Sequence, residues 1–212
     1  MITTGTVTDT SSFESGFDGW TTGGMDDPFL RTSGSTPVRA MGYGTGPTGA
    51  AVGSYYVYAH ANYNQNDKFD LQKTFPAGQE LYGIAFQYHM YGSYAGYGVL
   101  ESSADGTSWA SLWSKSSNLG DQWNQATVYA LGSGQTMLRF TYTNQAHYLG
   151  DFALDDIQLG DCLTVGCSAT PNSPCILPGG TCDIATGRCS VVPDGTPCDP
   201  ATIRYKLRHS SL

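Results

Sequence analysis

The first 161 residues contain no cysteine; all six lie between positions 162 and 198. A fold built from that first stretch must stand on packing and hydrogen bonds, and no thiol chemistry is available to it. Charged residues make up only 13% of the chain, too few to solvate many surface helices, which draw on Lys, Glu and Arg. Glutamate occurs three times, at 14, 80 and 101. There is no run of about 18 apolar residues of the kind a membrane-spanning helix needs. Residues Met1–Ser12 lack the apolar centre of a secretory leader, so secretion would require a leader outside them. The four histidines, His60, His89, His147 and His209, form neither H-E-x-x-H nor a paired metal spacing. G-x-S-x-G is missing as well. Nothing marks a catalytic site, and the expectation is a chain that is not an enzyme.

Positive charge is also scarce. The net charge is −8, and residues 1–160 carry six Lys/Arg against fourteen Asp/Glu. An acidic body repels phosphate backbones, which argues against nucleic acid as a partner. Arg204, Lys206 and Arg208 make only a short basic end, read as a solvated tail.

What is abundant is Gly (27 copies), Tyr (14), Ser and Thr. Short β-prone segments alternate with turn residues. In Tyr82–Tyr91, Ile84, Phe86, Tyr88 and Met90 share one face, while Ala85, Gln87, His89 and Tyr91 share the other. Leu138, Phe140 and Tyr142 point one way, with Arg139 and Thr141 opposite. Tyr55–Ala61, Trp109–Lys115 and Ala126–Leu131 are further strand candidates. Turn signals fall at Gly92–Gly98, Asp105-Gly106, Asn118–Asp121 and Gly132–Gly134, and no sustained helical period appears. Many short strands punctuated this way predict an all-β sandwich or barrel. The expected core includes Phe13, Trp20, Ile84, Phe86, Tyr88, Leu138, Phe140, Phe152 and Leu154.

Composition changes near Asp161. Cys162, Cys167, Cys175, Cys182, Cys189 and Cys198 are crowded among Pro and Gly, with no C-x2-C pair and no nearby His ladder. That density reads as a disulfide framework formed in an oxidising, extracellular compartment rather than a zinc site. Six cysteines allow 15 pairings, and the sequence does not choose among them. The expected organisation is a lead over 1–10, a β-sandwich over 11–161, a cysteine-rich module over 162–198 and a loose tail over 199–212.

Six landmarks, in order, resemble the MAM domain family. They are Phe13-Glu14-Ser15-Gly16-Phe17-Asp18-Gly19-Trp20; the acidic segment and SGSTP of Asp26–Pro37; Gly53–Tyr58; Phe86–Ser93; Leu112-Trp113-Ser114 with Gly120-Asp121-Gln122-Trp123; and Gly150–Ile157. The resemblance covers about residues 11–160. It implies an antiparallel jelly-roll sandwich on an ectodomain, serving adhesion, homophilic contact or assembly. The family usually carries four cysteines. Here Ser11, Asp18 and about Gly83 occupy the first three positions, so Cys162 is left to pair within the disulfide-rich appendage.

Asp155-Asp156 is the most informative polar pair. Strict alternation puts Asp156 on the face of Phe152 and Leu154, where an ionised carboxylate is costly unless paired or metal-bound. First and last strands are commonly neighbours in a jelly roll, and some family members hold a structural cation. Glu14 and Asp156, joined by Asp26 and Asp27, are therefore expected to gather around Ca²⁺ or Na⁺. The alternative is a hydrogen-bonded strand cap, or a pair with Arg139 or Arg31. Asn62-x-Asn64-x-Asn66-Asp67-x-x-Asp70 lacks the glycine and final glutamate of a calcium loop and reads as a solvated hairpin loop. Gly44-x-Gly46-x-x-Gly49 spells a dinucleotide fingerprint, but no apolar strand leads into it, so it reads as a flexible loop.

Tyr55, Tyr56, Tyr58, Tyr63, Tyr91, Tyr94 and Tyr97 crowd strands and loops. Most fit ordinary strand positions. Tyr91, Tyr94 and Tyr97 lie in a Gly-rich segment that cannot easily bury three rings, and they are the expected interaction surface. The reading that results is an extracellular adhesion or assembly module contacting other protein domains or copies of itself. The alternatives are a carbohydrate-binding module and the accessory domain of a secreted hydrolase.

Overall fold

The computed structural model describes residues 7–76, 83–129, 135–160, 181–183 and 188–190. In chain order its elements are β1 (Val7–Ser11), β2 (Thr21–Thr22), β3 (Asp27–Pro28), β4 (Leu30–Ser33), α1 (Pro37–Ala40), β5 (Tyr55–Ala59), β6 (Gln65–Thr74), β7 (Gly83–Met90), β8 (Tyr97–Ser103), β9 (Ala110–Ser116), β10 (Trp123–Tyr129), β11 (Met137–Gln145), β12 (Phe152–Gly160), β13 (Thr181–Asp183) and β14 (Arg188–Ser190).

Alternation decides the layers. One sheet runs β10-β7-β12-β5-β4, with β1 also paired to β12; the other runs β2-β6-β11-β8-β9, with β3 beside β6. Each sheet turns one face inward. Ile84, Phe86, Tyr88 and Met90 of β7 meet Leu138, Phe140 and Tyr142 of β11 in a shared core, together with Phe13, Trp20, Phe152 and Leu154. Every residue expected in the core is there. Phe86 and Phe140 meet edge to face at 4.8 Å, and Tyr142 stacks on Phe152 at 5.2 Å. The architecture is the expected all-β, jelly-roll-type sandwich. All strand pairs are antiparallel except β3 with β6.

Three departures from the sequence reading have physical causes. The stretch expected as a solvated loop around Asn62–Asp70 is a turn only as far as Asn64; β6 then runs for ten residues. Its polar alternate positions hide two core residues, Phe69 and Leu71, and it gains a ladder with β11 along most of its length. The Gly44–Gly49 segment, expected to be flexible, is pinned. It belongs to a long excursion between β4 and β5 that lies across the outer face of the first sheet. Gly46 N–H donates to Tyr91 O (2.9 Å), and Trp123 Nε1 donates to Gly49 O (3.0 Å). β1 begins at Val7 and pairs with β12 through Ile157–Gly160, so first and last strands are neighbours.

The third departure is at Asp156. Its φ is 45°, and the register slips between Asp155 and Gln158. This bulge inserts one residue. Leu154 faces the core before it, and Ile157 and Leu159 face the core after it. Asp156 is the extra residue, half-buried, and its carboxylate accepts from Gln158 Nε2 at 2.9 and 3.0 Å. The inward parity expected for it is lost. Asp155, expected to reach solvent, is fully buried on the opposite face.

In the C-terminal part, β13 and β14 form a two-stranded ribbon with Cys182 opposite Cys189. The remaining four cysteines, Cys162, Cys167, Cys175 and Cys198, lie outside the described residues, as does the tail.

Candidate interaction surface

Four connections meet at one end of the sandwich. The ladders place three of them: Phe152 at the start of β12 is opposite both Ala59 and Met90, the last residues of β5 and β7. Gln145 at the end of β11 is opposite Gln65, and Thr143 is opposite Tyr97. Residues 60–64, 91–96 and 146–150 are thereby brought together. The excursion between β4 and β5, whose strand ends Ser33 and Tyr55 pair at the far end, reaches them through Gly46 N–H to Tyr91 O and Asp151 N–H to Thr45 Oγ1. None of residues 41–54, 60–64, 91–96 and 146–150 is Asp, Glu, Lys or Arg.

Each connection supplies at least one ring to a continuous cluster. Tyr94 stacks on His147 at 4.1 Å and 14°, and His147 stacks on Tyr148 at 4.5 Å. Tyr148 is met edge-on by Tyr63 (5.3 Å) and by Tyr43 (5.6 Å). Tyr63 also approaches His147 at 5.7 Å. These are favoured aromatic geometries. The cluster is not a core: Tyr63 is 70% exposed, Tyr43 47% and Tyr94 43%, and Met41 beside Tyr43 is 73% exposed. Apolar atoms are thus held at the surface with polar hydroxyls at their tips, the composition of protein-binding surfaces.

The platform is rigid because the loops are bonded to one another beneath the rings. Ala61 N–H donates to Asp151 Oδ1 (3.0 Å), and Asp151 N–H donates to Thr45 Oγ1 (3.0 Å). Tyr94 N–H donates to Leu149 O (2.9 Å). Buried Asn144 gives its amide Nδ2 to Asn62 O (2.7 Å), Asn62 Oδ1 (3.0 Å) and Asn64 O (2.9 Å), knitting the 60–64 turn to β11. Tyr142 receives Gly96 N–H at 2.6 Å and donates its hydroxyl to Gly150 O; burial pushes its phenol well up. The approach is so close that a Cβ on Gly150 would collide with Tyr94 O.

Two histidines beneath the platform differ in charge preference. His60 lies 3.5 Å from Asp151, which raises the His60 pKa against the cost of burial. His89, buried on β7, is held down to about 4 by desolvation, although Asp121 lies 3.5 Å away.

Of the three tyrosines expected at the surface, Tyr94 is in the cluster. Tyr97 is exposed at the start of β8. Tyr91 is half-buried instead: Arg39 packs over its ring at 5.2 Å, and Gly44 lies against its hydroxyl. It supports the excursion rather than joining the cluster. Tyr43, Tyr63, His147 and Tyr148 were not expected at the site. The signal available for them was a set of turn segments free of charge, each carrying an aromatic residue.

The four carboxylates expected to share a cation are not brought together. Glu14 Oε1 accepts the N–H groups of Ser54 (2.8 Å) and Tyr55 (2.9 Å). Asp26 accepts Lys68 N–H (3.0 Å), Asp27 accepts Asn62 Nδ2 (2.8 Å), and Asp156 is taken by Gln158. Among the described residues no group of three or more His, Cys, Asp or Glu is placed to hold a metal ion. The bulge removes Asp156 from the face on which the convergence depended.

An acidic, disulfide-free sandwich whose first and last strands pair and whose loops gather at one end is the frame on which the six landmarks fall. Residues 11–163 match the profile of the MAM domain, meprin/A5/mu, and the chain belongs to that family. It is 36% identical over 107 residues to the MAM domain-containing glycosylphosphatidylinositol anchor protein 1 of Rattus norvegicus, covering 49% of this chain and 11% of that protein. The human counterpart is 35% identical over the same length. The chain thus spans about a tenth of the curated relatives it matches. Among solved structures, the K1 cleaved adhesin domain of Lys-gingipain from Porphyromonas gingivalis W83 superposes with a TM-score of 0.53 at 16% identity, over 71% of this chain and 95% of that one. The C-terminal family 22 carbohydrate binding module of Clostridium thermocellum Xyn10B gives 0.50 at 16% identity, over 76% and 96%. At these identities the likeness is one of fold.

Proposed function

We propose that this chain is a non-catalytic adhesion or assembly module of an extracellular or cell-surface protein, and that its aromatic loop end makes the protein–protein contact. The exposed five-ring cluster carries this reading. Tyrosines are the residues that dominate binding energy at interfaces, and loops bonded together in advance lose little freedom when they bind. Family membership and relatives named as glycosylphosphatidylinositol anchor proteins support the cell-surface setting. The partner is a neighbouring protein domain or a second copy.

A glycan is the second reading. One observation favours it: on the outer face of the second sheet, Trp109 stacks on the Arg139 guanidinium at 3.8 Å, and Arg139 is neutralised by Glu101 at 2.8 Å. The fold is also that of a carbohydrate binding module.

The test compares the full chain with a Tyr63→Ser, Tyr94→Ser variant. Binding to intact cells is followed by flow cytometry, and self-association by analytical ultracentrifugation. The variant should lose at least about tenfold in whichever contact the parent makes. Equal binding by parent and variant, or binding abolished by Trp109→Ala alone, overturns the assignment.

A further inference from the structure

Among the described carboxylates of the body, three are ion-paired with Lys or Arg. Asp9 is ion-paired with Lys73 (2.6 Å), Glu101 with Arg139 (2.8 Å) and Asp121 with Arg39. Asp26, Asp27 and Asp67 have no Lys, Arg or His at ion-pair distance among the described residues. These three stand together at the foot of the 60–64 turn. Asn62 Nδ2 donates to both Asp27 Oδ2 (2.8 Å) and Asp67 Oδ2 (3.1 Å), and Asn64 Nδ2 donates to the same Asp67 oxygen (2.8 Å). The crowding acts on Asp27, whose carboxyl is held above its ordinary value by burial and by neighbouring Asp67. Between the two asparagines sits Tyr63, the most exposed ring of the aromatic cluster. One turn therefore presents unpaired carboxylates on one side and open rings on the other.

We propose that this corner receives a basic segment of a partner protein, with Lys or Arg side chains lying against Tyr63 and its neighbouring rings and facing Asp27 and Asp67. The proposal rests on the interaction reading above and names the chemistry of the partner. Three arguments select a cation-bearing protein. Like charges crowded at one place are relieved by an opposite charge, and among the described residues no Lys, Arg or His lies at ion-pair distance from these three. Arg31 is engaged with Tyr55 at 3.7 Å and with the carbonyls of Phe13 and Glu14, and Lys73 with Asp9 and Asp18 O. Guanidinium on aromatic face is a pairing the protein already uses internally, at Arg31–Tyr55 and Arg139–Trp109, and it is favourable at exposed sites. Finally, the negative charge of residues 1–160 steers cationic partners toward the molecule. A second copy of the sandwich fits poorly, because it would bring the same acidic surface, and four of the six Lys/Arg of residues 1–160 (Arg31, Arg39, Lys73 and Arg139) are already engaged.

The probe is an arginine–glycine repeat peptide of about twelve residues, titrated into the full chain by calorimetry. A glutamate–glycine peptide and xylohexaose serve as comparisons. Only the basic peptide should bind, and its affinity should fall about tenfold between roughly 50 and 500 mM salt. Asp27→Asn, Asp67→Asn should weaken it about tenfold and Tyr63→Ala about fivefold, with near-UV circular dichroism unchanged. The proposal is overturned by absence of peptide binding, by binding that ignores salt and both variants, or by binding of the sugar instead. If the tyrosine variants still lose cell or self-contact while the peptide does not bind, the interaction surface stands and the basic partner fails. If neither measurement responds to the tyrosines, both fall.

Discussion

Asp155 and Glu14 hold the same short segment from its two sides. Asp155 Oδ2 accepts the N–H groups of Ala51 (2.8 Å) and Val52 (3.0 Å), while Glu14 Oε1 accepts those of Ser54 and Tyr55. Gly53, at φ 70°, forms the bend between them, and a Cβ there would strike the Glu14 carboxylate. The last strand and the turn that follows the first strand thereby fasten the returning end of the excursion that covers the first sheet.

Asp155→Ala should cost about 1–2 kcal/mol, because it removes the acceptor of the part-buried N–H groups of Ala51 and Val52. Burial raises the Asp155 carboxyl to about 6, against an ordinary value of 3.8. An acid raised in the fold binds its proton more tightly folded than unfolded. Its contribution to stability is therefore fully present below pH 3.8 and is lost as pH rises through about 6. Asn mimics the protonated acid, so urea melts of parent and Asp155→Asn should be most alike at low pH and diverge as pH rises toward about 6, the parent alone losing stability. A parent and variant with parallel pH profiles would show that Asp155 titrates normally.

Gly150→Ala should destabilise the protein by about 1–3 kcal/mol and disturb the platform above it, since the added methyl meets Tyr94 O. The indole-free tyrosine signals of Tyr94 and Tyr148 should shift in NMR spectra of the variant. Unchanged spectra and stability would mean that the two loops are not in contact.

Phe86→Ala should cost about 3–5 kcal/mol. Phe86 is 1% exposed and touches two rings of the facing sheet, Phe140 at 4.8 Å and Trp113 at 5.1 Å. Chemical denaturation reads the cost directly. A value under about 1 kcal/mol would contradict the packing.

Before reduction the six cysteines should yield no free thiol by mass spectrometry. Reduction should leave the melting temperature and near-UV signal of the sandwich unchanged, because residues 1–161 contain no cysteine. Loss of that signal on reduction would show that the C-terminal bridges support the body.

Strand identity was legible wherever one face was uniformly apolar. Ile84, Phe86, Tyr88 and Met90 announce β7, and Leu138, Phe140 and Tyr142 announce β11. β6 was hidden because only Phe69 and Leu71 break a run of Asn, Asp, Lys and Gln. The landmarks of the family were readable in order, and so was the pairing of first and last strands. The surface was legible in part. Tyr94 was found from its own Gly-rich segment, but Tyr43, Tyr63 and Tyr148 come from distant connections that the ladders and the folding-back of the β4–β5 excursion bring together. Asp156 was misplaced because alternation holds only while the register does, and a bulge leaves no reliable mark in composition.

That extra residue lets β12 serve two partners in opposite phase. Above it, Phe152–Leu154 pair with β5; below it, Ile157–Gly160 pair with β1. The strand behaves as two half-strands joined by a step. Alternation before the step turns Asp155 outward to fasten the excursion, and the step itself returns Ile157 and Leu159 to the interior. Straightening the bulge with Asp156 kept in the strand would turn Asp156 and Gln158 inward and expel both apolar side chains, so a strictly alternating version of this sequence is one the fold could not use.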